Sequence, residues 1–186
     1  MLDIARKRCL ESGEDWAERV EIVAGDAREV RLGRKFDAVL SMFHVISYMT
    51  DNESLDRAFR TAADHLDVGG IFLFDFWYGP AVLSEKPEKR SRQFRDGDTL
   101  ITRSSEPQLI QTSNVVEVKY SVEAQDLSGG HTDLTEETHT MRYLFLPELA
   151  YFLEAAGFRC RAALDFMTDH EPRIDSWSAL IVAEKS

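Results

Sequence analysis

His44, Trp77 and Tyr78 each follow a short apolar segment that has the composition of a buried β-strand. The first segment spans residues 36–40 and is soon followed by His44, and the second spans residues 71–76 and leads directly to Trp77 and Tyr78. In an open α/β sheet, ligands bind beyond the carboxyl ends of parallel strands. Two such ends that carry an imidazole and two aromatic rings therefore predict a small-molecule site.

His44 is the candidate catalytic residue of this predicted site. Because an imidazole is half neutral near pH ~6.5, it suits the removal of a proton from an ammonium or hydroxyl group. The alternative is a structural histidine that is held by hydrogen bonds. Trp77 and Tyr78 would form the wall of the acceptor pocket, although large aromatic residues are also common in the core.

Several other polar residues are candidates for the same site. Asp26 follows a short predicted strand, where it either contacts a ligand or forms a turn. Asp75 lies inside an apolar strand and needs a partner, for which Arg142 is the candidate. His139 and Arg142 are candidate substrate-side residues, whereas the remaining histidines lie in polar segments and are predicted at the surface: His65, His131 and His170. No cluster has metal-ligand spacing, so we expect no metal.

The first half of the chain predicts alternating helices and strands around these residues. Apolar spacing indicates a helix from residue 1, and strands are predicted at 20–24, 36–40 and 71–76. Thr50 and Glu53 have the spacing of a capping box for a second helix, which Gly69-Gly70 would end. The fold class is therefore α/β.

After Pro80 the pattern changes from helices to alternating strands. Residues 84–98 are charged and predict a solvated loop. Antiparallel strands are predicted at 100–105, 116–122 and 141–145, followed by a helix that begins at Pro147 and ends at Gly157, and by strands at 161–166 and 177–184. We expect one domain, residues 1–186, in which residues 81–146 form a β-rich substrate-side insertion.

Composition limits the classes of partner. The chain has 186 residues and 44% hydrophobic content, which suits one globular domain. Its 33 acidic and 22 basic residues give a net charge of −11, which disfavours nucleic acid and favours a cationic or zwitterionic small molecule. Two isolated cysteines, no apolar stretch of ~18 residues and no signal-peptide core predict a cytoplasmic protein without a membrane partner.

Several motifs together resemble the class I S-adenosylmethionine-dependent methyltransferases. Gly25-Asp26-Ala27 is similar to their second motif, residues 36–46 to their fourth strand and its substrate-facing end, and Leu66-Asp67-Val68-Gly69-Gly70 to the turn before their fifth strand. Glu148 to Phe158 is similar to a further family segment. Residues 77–80 and 139–143 resemble the bacterial small-molecule branch that includes amino-sugar N-methyltransferases.

The resemblance implies a Rossmann-like sheet, S-adenosylmethionine as cofactor and particular contacts to it. Asp26 would bind the adenine amino group, and the other cofactor-side positions would be Ala27, Ser41, Met42 and Phe43. The expected reaction is methyl transfer to an amine or hydroxyl of a small metabolite, for example a sugar. A non-catalytic methyltransferase remnant that binds a partner protein is the alternative, while an RNA-modifying enzyme is disfavoured because no basic stripe is present.

Two family features have no counterpart in the sequence. The Gly-rich loop after the family's first strand and the acid after its second precede the helix that residues 1–5 resemble. The sequence is therefore interpreted as an N-terminally truncated form, or as one whose gap another chain fills. Because the missing strands would leave an apolar sheet edge exposed, a homodimer through that edge is expected, or else a domain of low stability.

Overall fold

The computed structural model describes residues 2–186 as a mixed α/β structure around one eight-stranded sheet. Its helices are α1 Leu2–Glu11, α2 Asn52–Asp64, α3 Gly79–Glu85 and α4 Leu146–Ala155. Its strands are β1 Phe36–Ser41, β2 Leu66–Tyr78, β3 Arg90–Asp96, β4 Thr99–Ile110, β5 Val115–Asp126, β6 Thr132–Leu144, β7 Phe158–Asp165 and β8 Ser178–Lys185. The alternation of helices and strands predicted for the first half is confirmed, as is the antiparallel character of the middle segment.

The long strand β2 joins two parts of the sheet. It pairs in parallel with β1 and antiparallel with β8, which in turn pairs with β7. At its carboxyl end, Trp77 and Tyr78 pair with the end of β6, whose other residues belong to the antiparallel ladder β3-β4-β5-β6. The carboxyl end of β2 is thus the point where the α/β part meets the antiparallel strands.

The core lies between the helices α2 and α4 and the strands β2 and β8. Phe59 of α2 packs against Phe72 and Phe74 of β2, with ring centroids 5.5 and 5.1 Å apart, and all three side chains are buried. Complete burial of each such ring contributes about 1.5–3 kcal/mol. A second, smaller cluster around Val116, Val118 and Tyr143 packs against Trp77, so the core extends under the carboxyl end of β2.

The predicted strand at residues 20–24 is wrong. These residues adopt no regular secondary structure, and they lie in a segment that returns the chain to β1. A β-strand is stabilised by the ladder to a neighbour, and none of the described strands pairs with this segment. The apolar sequence Val20 to Ala24 has strand propensity but no partner that would realise it.

The predicted boundaries of α2 are also wrong at both ends. Asp51 caps the helix, because its carboxylate accepts the Ser54 N–H at 2.7 Å, so Thr50 and Glu53 do not form the capping box. The helix ends at Asp64, and Gly69 lies within β2. There, β2 has extra residues opposite β1 between Phe36 and Ala38, and Gly69 adopts a φ of +85°. The glycine pair therefore lies in a β-bulge of the strand. Glycine adopts the left-handed conformation that the bulge requires without a steric penalty.

The charged segment 84–98 is only partly the solvated loop that was predicted. It contains the end of α3 and the edge strand β3, all of whose residues are exposed. β3 pairs with β4 along its whole length, so the strand is stabilised by backbone hydrogen bonds and not by burial of its side chains. Charged residues are common on edge strands because they discourage pairing with other chains.

Candidate functional site

His44 and Asp75 form the polar centre of the site. Asp75 is fully buried in β2, and its Oδ1 accepts the backbone N–H of His44 at 3.0 Å. The His44 Nδ1 lies 2.7 Å from Asp75 Oδ2, a close contact whose angle is not that of a hydrogen bond, and neither atom has a hydrogen-bond partner among the described residues. The prediction that Arg142 is the partner of Asp75 is therefore wrong.

The backbone brings His44 to Asp75 through an unusual turn. Phe43 and His44 both adopt left-handed conformations, with φ of 64° and 62°, directly after β1. Residues other than glycine rarely adopt this left-handed conformation, and those that do are often found at functional sites. The hydrogen bond from the His44 N–H to a buried carboxylate helps to hold the turn in this conformation.

The charge of Asp75 is preserved despite its burial. Burial raises the pKa of the carboxyl group, but the contacts of the carboxylate with the His44 ring and backbone N–H, together with the charge that His44 carries when its ring is protonated, outweigh this effect and leave the pKa below its ordinary value. A carboxylate beside Nδ1 favours the tautomer in which Nδ1 carries the proton and Nε2 has a free lone pair. His44 thus has the arrangement of an oriented general base.

A cleft of about 290 Å³ opens beside His44. Its walls include the indole rings of Trp77 and Trp177, whose centroids lie 6.1 Å apart, and the ring of Tyr120. The Ser178 Oγ is buried in the same cleft without a hydrogen-bond partner among the described residues. Tyr78, predicted as a second aromatic wall, packs against the main core instead.

One face of the ladder β3-β4-β5-β6 borders this cleft. Arg90, Ser105 and Tyr120 are opposite one another in register, and all three line the cleft. Arg92 and Arg103 lie opposite each other on the same face, and no salt bridge between described residues involves either of them or Arg90. Like charges directly opposite are destabilising, so the Arg92–Arg103 pair favours an anionic ligand. Two carboxylates lie nearby: Glu88 lines the cleft, and Glu137 is opposite Tyr120 on the same face.

The two predicted substrate-side residues of β6 have different surroundings. Arg142 is buried and donates to Asn52 Oδ1 at 2.7 Å and to Glu148, so it ties β6 to α2 and α4. His139 is one-third exposed and hydrogen-bonded to the Tyr48 hydroxyl at 2.6 Å. Of these two residues, only His139 has a side chain that solvent reaches, and its ring packs edge-on against the Tyr120 ring.

A second cavity, an apolar groove of about 530 Å³, runs along β1 from Phe36 to Met42. Three of the five predicted cofactor-side residues, Ala27, Ser41 and Met42, line it. The Ser41 Oγ is buried and has no hydrogen-bond partner among the described residues. An apolar groove with an unpaired hydroxyl at one end fits the adenosine part of S-adenosylmethionine.

The other two cofactor-side candidates lie beside the groove. The Phe43 ring is highly exposed, at 81%. The Asp26 carboxylate accepts the Arg28 backbone N–H at 2.9 Å and two bonds from the Arg28 guanidinium, so the arginine holds the pKa of Asp26 well below its usual range. Asp26 therefore forms the turn, and its ionised carboxylate is available at the surface for a further donor.

Sequence reasoning misplaced His65 and missed four residues of the site. His65 is buried, not at the surface: Nδ1 bonds to Thr61 O at 2.7 Å, and Nε2 accepts the Leu32 N–H at 2.9 Å. The missed residues are Tyr48, Tyr120, Trp177 and Ser178. Tyr120 and Trp177 could have been found as aromatic residues at predicted strand positions, whereas nothing in the local sequence distinguishes the serine.

Within residues 2–186, no group of three or more His, Cys, Asp or Glu side chains is arranged to hold a metal ion. None of the described helices has the length and apolar composition needed to cross a membrane.

Comparisons with known proteins relate the chain to methyltransferases, although no protein-family model matches it. The dTDP-3-amino-3,4,6-trideoxy-α-D-glucopyranose N,N-dimethyltransferase of Streptomyces venezuelae is 30% identical over 135 residues, which are 73% of this chain and 55% of the relative. The chain spans about half the length of the curated relatives that it matches.

Solved structures show the same relationship. An S-adenosylmethionine-dependent methyltransferase from Clostridium acetobutylicum has a TM-score of 0.83 at 18% identity, covering 100% of this chain and 71% of that one. The sugar N-methyltransferase KedS8 from Streptoalloteichus has a TM-score of 0.72 at 25% identity, covering 87% and 60%. The chain therefore has the Rossmann-like fold of S-adenosylmethionine-dependent methyltransferases, and it is homologous to sugar N,N-dimethyltransferases. The resemblance seen in the sequence is confirmed.

Proposed function

We propose that this protein transfers methyl groups from S-adenosylmethionine to the amino nitrogen of a sugar that is carried on a nucleoside diphosphate. The observation that carries the proposal is the His44–Asp75 pair, which joins the turn after β1 to β2, between the apolar groove and the aromatic cleft. The relatives that act on dTDP-amino sugars support the choice of acceptor.

The chain's own residues supply alignment and a proton acceptor. The bound cofactor supplies an electrophilic methyl group, so the acceptor nitrogen needs a free lone pair in line with it. Asp75 orients the His44 ring, and Nε2 removes a proton from the acceptor's ammonium group. Trp77 and Trp177 enclose the sugar, and the unpaired Ser178 hydroxyl offers it a hydrogen bond.

The basic face of the ladder would bind the diphosphate. Arg90, Arg92 and Arg103 lie on one side of β3 and β4 without an ion pair among the described residues, in a protein whose net charge is −11, and the Arg103 guanidinium lies over the Tyr120 ring at 5.0 Å. Guanidinium groups bind phosphate oxygens through paired hydrogen bonds. The acceptor would thus present a cation to His44 and Asp75 and an anion to these arginines. The negative charge of the remaining surface disfavours nucleic acid as the substrate.

In this proposal, residues 81–146 form the substrate-side insertion of a single domain. Strands β3 to β6 supply Tyr120, His139 and the arginines, whereas β2 supplies Asp75 and the turn after β1 supplies His44, with the cofactor groove along β1. The acceptor would thus bind on the strands β3 to β6, and the cofactor would bind beside β1. The two parts of the sheet meet where Trp77 and Tyr78 pair with β6.

Titration with S-adenosylhomocysteine in a calorimeter tests the cofactor side and distinguishes an enzyme from a non-catalytic remnant. We expect saturable binding, and we expect Asp26→Ala to weaken it about tenfold, because the variant loses a charge-assisted contact to the adenine amino group. Asp126→Ala is the matched control, since Asp126 also accepts a backbone N–H two residues further on, in a hairpin turn far along the chain.

Two results would contradict the proposal. Absence of binding to the wild type would favour the remnant. Equal weakening by Asp26→Ala and Asp126→Ala would show that Asp26 acts only through its turn.

A further inference from the structure

Two indole rings form adjoining walls of the cleft beside His44. The rings of Trp77 on β2 and of Trp177, which directly precedes β8, are perpendicular, at 89°, with centroids 6.1 Å apart. The Trp77 ring also lies edge-on to the His44 ring, with centroids 6.4 Å apart. All three rings line the same cleft, so a ligand group that reaches the His44 ring lies next to the indoles.

Glu85 determines what the Trp177 ring offers to a ligand. The Trp177 Nε1–H, the only hydrogen-bonding group of the indole, donates to the Glu85 carboxylate at the end of α3. Ser84 Oγ donates to the Ile174 carbonyl at 3.1 Å, so α3 holds the segment that carries Trp177 at two points. The ring therefore presents its π system to the cleft, and a hydrogen bond to an anion makes that system more negative.

A second carboxylate lies in the cleft itself. Glu88 lines it, and no salt bridge between described residues involves this side chain. Lys86, which lies between the two glutamates, adopts a left-handed φ of 53° and turns the chain after α3. Glu85 is thereby left at Trp177, while Pro87 and Glu88 reach the cleft. Such conformations often occur at functional sites.

The surroundings of the two indoles suit a cation. Tyr120, the third aromatic wall, already has the Arg103 guanidinium over its ring at 5.0 Å, whereas no described cation lies over either indole in this way. Arg90 also lines the cleft, but it belongs to the ladder face that would bind the diphosphate. The end of the cleft near His44 therefore suits an ammonium group, which the faces of electron-rich rings attract.

Methylation changes how an ammonium group can be held. A primary ammonium group has three N–H donors, and the dimethylated group keeps one. A site built only from hydrogen-bond acceptors loses contacts with each transfer, whereas ring faces contact the added methyl groups and still attract the charge. The acceptor nitrogen also gains positive charge as it is methylated, so the same rings stabilise the charge that develops there.

We propose that Trp77, Trp177 and Glu88 form an aromatic cage for the methylated ammonium group of the acceptor. Glu85 holds the Trp177 ring and acts through it as a positioning residue. The inference deepens the proposed function, and it rests on that function for the identity of the ammonium group. The cage binds the monomethylated group more tightly than the primary one, so the singly methylated acceptor stays in the cleft for the second transfer.

A purely hydrophobic wall is the competing explanation, because Trp77 and Trp177 also pack against the smaller core cluster. Choline and its neutral carbon isostere 3,3-dimethylbutan-1-ol distinguish the two roles without cofactor or sugar, since they share a shape and differ in charge. In an NMR titration of the wild type, choline should bind roughly 2- to 30-fold more tightly than the alcohol, with its methyl resonances shifted upfield by the indole rings. A hydrophobic wall would bind both alike.

Variants of Trp177 locate the binding. Trp177→Leu should abolish the preference for choline, and Trp177→Phe, which keeps a ring face, should restore part of it. Trp16→Leu is the matched control, because it changes an exposed tryptophan of another segment, and it should keep the wild-type preference. Glu85→Gln keeps an acceptor for the indole N–H and removes the charge, so it should lower the preference without a large change in the fold.

Turnover gives a second measurement. With dTDP-3-amino-3,4,6-trideoxy-α-D-glucopyranose and its monomethylated form as acceptors, Trp177→Leu should raise KM for the monomethylated form more than KM for the primary amine. Equal binding of choline and the alcohol by the wild type would overturn the cage. So would a choline preference that is unchanged in Trp177→Leu, or in Glu85→Gln where the leucine variant does not fold. A wild type that prefers choline but transfers no methyl group refutes the proposed function and supports the cage as a site for alkylated ammonium ions.

Discussion

Replacing Asp75 by Asn separates the orientation of His44 from the stability of the fold. The substitution keeps the shape of the side chain and removes its charge. In the structure Oδ1 accepts the His44 backbone N–H at 3.0 Å, and Oδ2 lies 2.7 Å from Nδ1. An asparagine that retains the first contact must place its oxygen there, so its NH2 group faces Nδ1.

This geometry reverses the tautomer of His44. Because the amide donates to Nδ1, the ring proton moves to Nε2, which then has no lone pair for the acceptor's proton. The same change in a Ser-His-Asp triad lowers turnover about 10⁴-fold, and a general base contributes about 10²–10⁴. We therefore expect Asp75→Asn to lower turnover by roughly 10²–10⁴.

Stability should change much less than turnover. The His44 N–H keeps its acceptor, and the difference between charged and neutral hydrogen bonds amounts to about 1–2 kcal/mol. Turnover is followed as methylated amino sugar by mass spectrometry, and unfolding is followed in urea. Asp67→Asn is the control, because it makes the same charge change at an exposed position of β2. Turnover within threefold of the wild type in Asp75→Asn would refute the orienting role of Asp75.

Two further predictions concern the stability of the fold, and a third concerns association between copies of the chain. His65→Leu should lower the free energy of unfolding by about 1–3 kcal/mol, measured in urea, because both ring nitrogens are hydrogen-bonded and the Leu32 N–H loses its acceptor. Gly79→Ala should cost a similar ~1–3 kcal/mol in the same assay, because the added Cβ would lie 2.5 Å from the Phe145 ring. Leu40, 63% exposed on β1, should lie in a contact between two copies, so Leu40→Lys should reduce the dimer fraction in sedimentation.

Each of these predictions has an outcome that would contradict it. His170→Gln changes an exposed histidine and should leave stability unchanged; an equal loss in both histidine variants would show that the buried hydrogen bonds contribute little. A wild-type midpoint for Gly79→Ala would mean that the Phe145 ring moves aside freely. A wild type that sediments as a monomer at all concentrations would rule out association through β1.

Prediction from the sequence was most accurate for elements whose apolar residues are buried in the core. The strand β2 and the helix α4 were found because their apolar side chains are buried against each other, and pattern and environment agree. Of β1, only the partly buried Val39 packs against this core. Residues 20–24 have the same kind of pattern, but no described strand pairs with them. Local propensity does not reveal whether a strand has a neighbour.

The site was predicted in part for the same reason. His44 and Trp77 follow from strand ends, because topology brings those ends to one edge of the sheet. The groove residues Ala27, Ser41 and Met42 were candidates through the family resemblance. The partner of Asp75 was wrong because two left-handed residues turn the His44 N–H back onto β2. The Tyr48–His139 contact joins residues 91 positions apart, and such a distance in sequence hides it from local patterns.

Transfer of isotope-labelled methyl groups to a defined amino sugar is the most direct test of the central claim. The chain is incubated with S-adenosylmethionine that carries a labelled methyl group and with dTDP-3-amino-3,4,6-trideoxy-α-D-glucopyranose, and the sugar is examined by mass spectrometry and NMR. We predict that label appears on the amino nitrogen, that His44→Asn lowers its rate roughly 10²–10⁴-fold, and that S-adenosylhomocysteine binding changes little in that variant. Absence of label on the nitrogen with the wild-type chain, or equal rates for the wild type and His44→Asn, would contradict the claim.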